Sequence, residues 1–188
     1  MAHVLGADPH LGPLLARRPG LRVPGVVDGW EIAARAVLGQ QVTVSAARTL
    51  AGRITAVLGE PLERPDGALT HRFPRPAAVV AAGDATFPMP RSRIRALREL
   101  AAADLTLATP ADAERLLDVW GIGPWTAGYV ALRLGDPDVF LAGDVAVVRA
   151  LRELGLTIDD ASRWSPFRSF AVVHLWANLA RPGPVAPA

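Results

Sequence analysis

The stretch VWGIGPWTAGYVALRL, Val119 to Leu134, joins two helical patterns through a turn that contains Gly121, Gly123 and Pro124. Glycine in such a turn supplies a positive φ or lets another segment of backbone come close. Proline at the first helical position costs no hydrogen bond, because the N–H that it lacks would have no partner there. The stretch therefore predicts a helix, a tight hairpin and a second helix whose first N–H groups have no partner within the helix.

Helical periodicity extends on both sides of this hairpin. Helices are predicted over residues 29–58, with a break at LGQQVTVSAA, and over 76–82, 91–103, 110–119, 124–134, 144–154 and 166–180. Loops are predicted over 64–76 and 135–144, and RRPGLRVPG, residues 17–25, is typical of an extended linker. No stretch alternates strictly between apolar and polar residues, so the predicted fold class is all-α.

The composition excludes several chemistries. The chain of 188 residues is 51% hydrophobic, which is enough to bury a full core. It has no cysteine and no lysine, so thiolate nucleophiles, iron–sulfur clusters and any mechanism that needs a lysine amine are excluded. The histidines lack the spacing of metal ligands: His3, His10, His71 and His174.

Charge and hydropathy leave a DNA-binding role open. A formal net charge of +2 permits nucleic-acid binding without arguing for it. Neither a signal peptide nor an apolar run long enough to cross a bilayer is present, so a cytoplasmic protein with no membrane contact is expected.

The hairpin favours an anionic ligand. N–H groups converge at the beginning of its second helix, where the helix dipole also attracts negative charge, and a phosphate is the obvious guest. An ordinary connection between two helices is the alternative. A nucleotide-binding glycine motif fits poorly, because no strand precedes the turn and the third glycine is missing.

Asp144 stands at the start of the helix predicted after the 135–144 loop. A plain N-cap is the simplest interpretation of an aspartate in that place. A capping box does not explain it, since Val147 occupies the position that would need Glu or Gln. The same loop offers Asp136 and Asp138 as other carboxylates, and Asp138 is typical of a turn residue after Pro137.

Three aromatic residues suggest a stacking surface. Trp125 and Tyr129 lie one turn apart and share a helix face, and Trp176 lies near the end of the last helix. Core packing is the alternative for each of them. Together they would make a pocket for a base rotated out of the duplex, and their electron-rich faces would favour a cationic base.

Several separate motifs resemble the helix-hairpin-helix DNA glycosylase superfamily. They are LLDVWGIGPWTAGYVALRL followed by GDPDVFLAGDVAVVRAL, then RAVLGQQVTVSAARTLAGR, MPRSRIRAL and WSPFRSFAVVHLWA. Within the superfamily, the chain most resembles the 3-methyladenine DNA glycosylase II branch, over about residues 5–180. The resemblance implies one catalytic unit, 1–180, with two helical lobes flanking an active-site cleft. One lobe is about 29–135 with the hairpin, and the other about 1–28 plus 136–180, with a flexible tail at 181–188.

The resemblance also assigns roles to individual residues. Asp144 matches the catalytic aspartate, and the base pocket would be Trp125, Tyr129 and Trp176. The hairpin would hold a DNA phosphate 3′ of the lesion through Gly121, Ile122, Gly123 and Thr126. A Na⁺ or K⁺ ion on the carbonyls of Gly121 and Gly123 would accompany it, and no cofactor is required.

Roles are also predicted for several other side chains. The intercalating wedge falls in LGQQVTV, where some members have Leu and this chain has Gln41, preceded by Gln40. Arg149 and Arg168 are predicted to orient the Asp144 loop and the last helix. Four arginines could reach phosphates, or form a solvated helix face instead: Arg91, Arg93, Arg95 and Arg98. His174 is predicted to be a packed helix residue.

The implied activity is removal of alkylated purines, such as 3-methyladenine and 7-methylguanine, from duplex DNA in base excision repair. Such a base is already cationic and leaves without a general acid, so one carboxylate that stabilises the oxocarbenium ion is enough. Relatives that also cut the backbone have a lysine where this chain has Trp125, so a monofunctional enzyme that leaves an abasic site is expected. A non-catalytic damage-recognition module and a glycosylase for deaminated bases remain the alternatives.

The expected partner is double-stranded DNA with damaged bases, bound by a monomer associated with the nucleoid. Members of this branch commonly carry a β-rich domain ahead of the region that the resemblance covers. Here the chain begins almost directly with the glycosylase part, so it is either a minimal form or a fragment of a larger protein.

Overall fold

The computed structural model describes residues 2–180 and divides the chain into two compact units. We call Val26–Leu134 the hairpin unit, and Met1–Gly25 together with Gly135–Ala188 the aspartate unit. These boundaries lie close to those predicted for the two lobes. The predicted tail at 181–188 lies outside the described residues. In the described part of the chain, the helices lack the length and hydropathy that a membrane crossing requires.

The elements follow one another with short connections. The helices are α1 (Ala2–Gly6), α2 (Gly12–Arg17), α3 (Gly29–Leu38), α4 (Val44–Leu58), α5 (Pro76–Ala81), α6 (Arg91–Ala102), α7 (Pro124–Arg133), α8 (Val145–Glu153) and α9 (Arg168–Leu179). Strands β1 (Pro61–Asp66) and β2 (Leu69–His71) lie between α4 and α5. Short 3-10 helices cover Asp84–Thr86, Pro110–Asp118 and Asp159–Trp164. The all-α prediction is confirmed, with one small sheet added.

One local prediction was wrong, and one predicted helix is of the 3-10 type. The predicted loop at 64–76 contains an antiparallel ribbon in which Pro61 pairs with His71 and Asp66 with Leu69. Most of its residues are exposed, so no buried face imposes the alternation that would reveal a strand. Residues 110–118 form a 3-10 helix, and an Asp112 oxygen accepts hydrogen bonds from the Thr109 amide and hydroxyl at its beginning.

The hairpin unit is built around α3. Asp28 caps this helix by accepting the amides of Trp30 and Glu31, and Thr43 caps α4 by accepting the amide of Ala46. The buried face of α3 packs against α6 and against α7, the helix that follows the hairpin. Ile122, at the middle of the hairpin, is only 7% exposed, so the hairpin is anchored in this core.

The aspartate unit has its own core, in which α8 packs against α9 and α2 also contacts α9. Its largest buried side chain is Trp164, and His174 is buried as predicted. Burial lowers the pKa of His174, and the charges of Arg18 and Arg22 lower it further. In this core, α9 is held between its contacts with α8 and with α2.

A buried carboxylate joins the N-terminal segment to this core. Asp8 accepts hydrogen bonds from the amides of His10 and Leu11 and from the Trp164 indole, and pairs with Arg163 at 2.8 Å. Burial alone would raise the pKa of Asp8, but the hydrogen bonds and the Arg163 charge together hold it below its ordinary value of 3.8. Deprotonated Asp8 therefore stabilises the fold.

We expect Asp8→Asn to lower the free energy of unfolding by about 2 kcal/mol, because an amide N–H₂ would face the donors of Trp164 and Arg163. Because the pKa of Asp8 is lowered on folding, its contribution is complete above pH 3.8 and is lost as pH falls through the folded-state value. In thermal melts at pH 7 and at a series of lower pH values, the difference in melting temperature between the two proteins should therefore shrink once the pH falls below 3.8. A constant difference at every pH would contradict this assignment.

Candidate functional site

The hairpin has the geometry that its glycines require. Gly121 has φ +81°, and a Cβ on it would lie 2.8 Å from the Ala96 Cβ. The Ile122 amide donates to the Val119 carbonyl at 3.1 Å, so Ile122 closes the turn and packs inward. Both its N–H and its side chain are used inside the protein, and its place among the phosphate donors stays a prediction.

The donors that remain are at the beginning of α7. Within residues 2–180, the amides of Gly123 and Thr126 have no hydrogen-bond acceptor. The Gly123 carbonyl accepts the amide of Ala127 at 3.1 Å, the first bond of the helix. The hairpin therefore presents N–H groups at a helix N-terminus, where an anion is favoured.

The two glutamines of LGQQVTV lie in different environments. The Gln40 side chain donates to the Gly121 carbonyl and to the Thr126 hydroxyl, each at 3.1 Å. It is thus held against the hairpin, and its role as part of the wedge stays a prediction. Gln41 is exposed and has φ +57°, a conformation that few residues other than glycine adopt. Gln41 is the one of the pair that stays available for insertion.

The predicted aromatic pair on α7 is stacked. The rings of Trp125 and Tyr129 are 5.6 Å apart between centroids and nearly parallel, at 9°. Arg133, one turn further on, donates to the Tyr129 hydroxyl at 2.8 Å, and its guanidinium lies 5.7 Å from the centre of that ring. Sequence reasoning missed Arg133, although its spacing from Tyr129 is that of neighbours on one helix face.

Asp144 is the N-cap of α8 in the aspartate unit. Its Oδ1 accepts the Val147 amide at 2.9 Å and the Trp176 indole N–H at 3.1 Å. The structure thus brings together two of the predicted site residues, Asp144 and Trp176. The capping interpretation is also correct, and the same oxygen, Oδ1, accepts both the capping hydrogen bond from Val147 and the hydrogen bond from Trp176. The indole N–H of Trp176 therefore helps to orient the Asp144 carboxylate.

The loop before Asp144 is fastened to the start of α9. Asp138 and Arg168 form a two-pronged ion pair with both contacts at 2.9 Å, and Ser165 donates to Asp138 at 2.8 Å. The Arg168 side chain lowers the pKa of Asp138 through these hydrogen bonds. Asp138 is therefore more than the predicted turn residue, and Arg168 contacts the loop as predicted.

Some predicted arginine roles were wrong. Arg149 pairs with Glu153 one turn along α8, at 3.0 Å, because both side chains lie on the exposed side of that helix. Arg98 pairs with Asp84 and donates to the Ala82 carbonyl, so it holds the chain between α5 and α6. Arg95 lies over Trp120 at 4.1 Å, whereas Arg93 and Ser92 line a pocket of about 160 Å³ beside Gly121.

Metal binding by side chains finds no support in residues 2–180, where no three His, Asp or Glu side chains are grouped as metal ligands. The carbonyls proposed for a monovalent cation each accept one hydrogen bond, from Gln40 at Gly121 and from Ala127 at Gly123. A carbonyl oxygen has two lone pairs, so one acceptor site remains on each.

Comparisons with known proteins agree with this geometry, although no family model matches the chain. The chain is 40% identical to the "Probable bifunctional transcriptional activator/DNA repair enzyme AlkA" of Mycobacterium tuberculosis, over 97% of this chain and 40% of that protein. It is 40% identical to "DNA-3-methyladenine glycosylase 2" of Escherichia coli, over 88% of this chain and 63% of that protein. It therefore spans less than two thirds of either relative.

A solved structure shows the same fold. The 3-methyladenine DNA glycosylase from Archaeoglobus fulgidus matches with a TM-score of 0.80 and 26% identity, over 93% of this chain and 67% of that one. The Escherichia coli relative and this structure are both named as 3-methyladenine DNA glycosylases, and the Mycobacterium tuberculosis relative is named as a DNA repair enzyme. This chain belongs to the helix-hairpin-helix DNA glycosylase superfamily, in its 3-methyladenine DNA glycosylase II branch.

Proposed function

We propose that this protein is a DNA glycosylase that excises alkylated purines from duplex DNA and leaves an abasic site. The observation that carries the proposal is the Asp144 carboxylate, oriented by the Val147 amide and the Trp176 indole in a chain of this family. The names of its relatives support alkylated bases as the substrates.

The chemistry needs one fixed carboxylate. As the C–N glycosidic bond breaks, its electron pair leaves with the base and positive charge develops on the sugar. A preoriented anion stabilises that charge without reorganising, which is the main way in which such sites lower a barrier. Water then attacks the anomeric carbon, and Asp144 orients it or accepts its proton.

The hairpin unit would bind the substrate's backbone and base. The Gly123 and Thr126 amides would hold a phosphate, a contact that sets position without reading sequence. The stacked rings of Trp125 and Tyr129 would accept the extruded base, and Gln41 would enter the gap that it leaves. A cationic base is favoured over a neutral one by the faces of these rings.

One observation favours a second substrate class. The Arg133 guanidinium already lies beside the Tyr129 ring, where it competes with a cationic base for the electron-rich face. Neutral deaminated bases such as hypoxanthine would not meet this repulsion. Removal of deaminated bases is therefore the alternative activity of the same site.

A panel of duplex oligonucleotides, each with one defined lesion, tests the proposal. After incubation with the protein, mass spectrometry of the released bases should show 3-methyladenine and 7-methylguanine, with hypoxanthine and uracil released more slowly. The reverse order would favour the alternative substrates. Binding to damaged duplexes without any released base would identify a non-catalytic damage-recognition module.

We expect no strand cleavage after base removal, because Trp125 replaces the lysine that lyase relatives use and the chain has no lysine elsewhere. Borohydride treatment during turnover should trap no covalent protein–DNA adduct, while a bifunctional glycosylase run in parallel is trapped. Strands should break only on heating in alkali. An adduct that persists after the α-amino group is acetylated would contradict this expectation.

A Na⁺ or K⁺ ion would use the remaining acceptor sites of the Gly121 and Gly123 carbonyls, and would attract the same phosphate electrostatically. Otherwise we propose that the enzyme needs no cofactor. We also propose that it acts as a monomer in the cytoplasm, associated with the nucleoid.

A further inference from the structure

Gln40 joins two loops that are far apart in the sequence. Its Nε2 donates to the Gly121 carbonyl and to the Thr126 hydroxyl, both at 3.1 Å. The wedge loop, residues 39–43, follows α3, whereas the hairpin precedes α7. The backbone of Gln40 is held as well, because its N–H donates to the Val37 carbonyl at 3.2 Å.

The partners of Gln40 are themselves fixed. Thr126 is only 2% exposed, and Gly121 is pressed against Ala96 in a conformation that favours glycine. By contrast, residues 41–46 are exposed, and Gln41 has an unfavourable positive φ. The wedge loop packs little against the rest of the protein, so its own contacts do little to fix its conformation. The hydrogen bonds from Gln40 to the rigid hairpin can supply that restraint.

We propose that Gln40 is a positioning residue that holds the wedge loop against the phosphate-binding hairpin. The loop and the hairpin then act as one rigid unit when the hairpin binds a phosphate and Gln41 inserts into the duplex. This inference rests on the proposed function. An inserted side chain must resist restacking of the duplex, and a loop that is already ordered pays less entropy on binding. Gln40 would thus act on base extrusion, not on general DNA affinity.

The amide group suits this role because it has two N–H donors for two acceptors. Gln40→Met keeps the length of the side chain, removes both donors and adds no charge near DNA. Thr126→Val removes one acceptor with little change of shape. Because Thr126 and Gln40 share a hydrogen bond, the double variant should lose little more than Gln40→Met alone. Thr49→Val, an exposed Thr-to-Val change on α4, is the matched control.

The first experiment measures, in the absence of DNA, how far Gln40 restricts the motion of the wedge loop. Amide hydrogen exchange in residues 39–43 should accelerate at least about tenfold in Gln40→Met, while the melting temperature changes by less than about 2 °C. Thr49→Val should leave this exchange as in wild type. Unchanged exchange in the wedge loop of Gln40→Met would overturn the inference, whether or not the protein is a glycosylase.

The second experiment measures extrusion and excision. With 2-aminopurine beside the lesion, Gln40→Met should show about tenfold less extrusion and about tenfold slower single-turnover base release. Its affinity for undamaged duplex should stay within about twofold of wild type, since the hairpin amides are intact. Wild-type rates in Gln40→Met would overturn the inference. Absence of base release by the wild-type protein would instead overturn the proposed function, and the exchange experiment would still decide the role of Gln40.

Discussion

Asp144→Asn is expected to slow single-turnover base release at least about 1000-fold, while affinity for lesion-containing duplex changes less than about threefold. The substitution removes the negative charge that stabilises the developing oxocarbenium ion, and a preorganised electrostatic contact of this kind is worth two to three powers of ten or more. The measurement is release of a radiolabelled or fluorescent methylated base with enzyme in excess over DNA, beside a fluorescence anisotropy titration with the same duplex.

The fold should survive this change. Asparagine is as good an N-cap as aspartate, and its Oδ1 can still accept the Val147 amide and the Trp176 indole. Asp136→Asn is the matched control, because Asp136 lies in the same loop and its Oδ1 also accepts a backbone amide, that of Asp138. Equal losses in the two variants would show that the loop, and not the charge on Asp144, carries the effect.

Gly121→Ala should lower the free energy of unfolding by about 3 kcal/mol and weaken DNA binding more than tenfold. A residue with a Cβ at φ +81° costs about 1–2 kcal/mol, and overpacking against Ala96 at 2.8 Å adds a similar amount. Relief of the clash would move the turn and with it the amides of α7. Chemical denaturation followed by tryptophan fluorescence gives the first quantity, and anisotropy with a fluorescent duplex gives the second.

Gly123→Ala separates the effect on stability from the effect on DNA binding. Gly123 has φ −107°, and a Cβ there would have nothing within 4 Å, so the variant should unfold like wild type. The added methyl group would nevertheless stand beside the free Gly123 amide and hinder a phosphate. DNA affinity should therefore fall about threefold to tenfold at unchanged stability. Wild-type affinity in Gly123→Ala would place the phosphate elsewhere.

The sequence predicted those features that depend on neighbouring residues. The break between α3 and α4, the start of α7 at Pro124 and the cap of α8 at Asp144 all follow from local chemistry. The stacking of Trp125 on Tyr129 follows from their helical spacing in the same way. These contacts were predictable because each links residues within one or two turns of helix.

Contacts between distant residues escaped prediction. No local pattern indicates that the Gln40 side chain bonds the Gly121 carbonyl, so the sequence predicts Gln40 as part of the wedge beside Gln41. The position of Asp138 after Pro137 predicts a turn residue and gives no sign of its ion pair with Arg168. The hairpin pattern predicts Ile122 as a phosphate donor, although an apolar side chain between two glycines is free to turn into a core. In each case, tertiary contacts decided between roles that local sequence allowed equally.

Helix α9 holds Asp144 from two directions. Near its beginning, Arg168 and Ser169 bond the 135–144 loop, and near its end Trp176 donates to the Asp144 carboxylate. The buried residues of α9, among them Ala171, Val172 and Leu175, belong to the core of the aspartate unit, so α9 opens only when that core opens. Opening of this core would release both supports of Asp144 together. Under the proposed function, the temperature at which the aspartate unit unfolds would therefore set the upper temperature limit of base release.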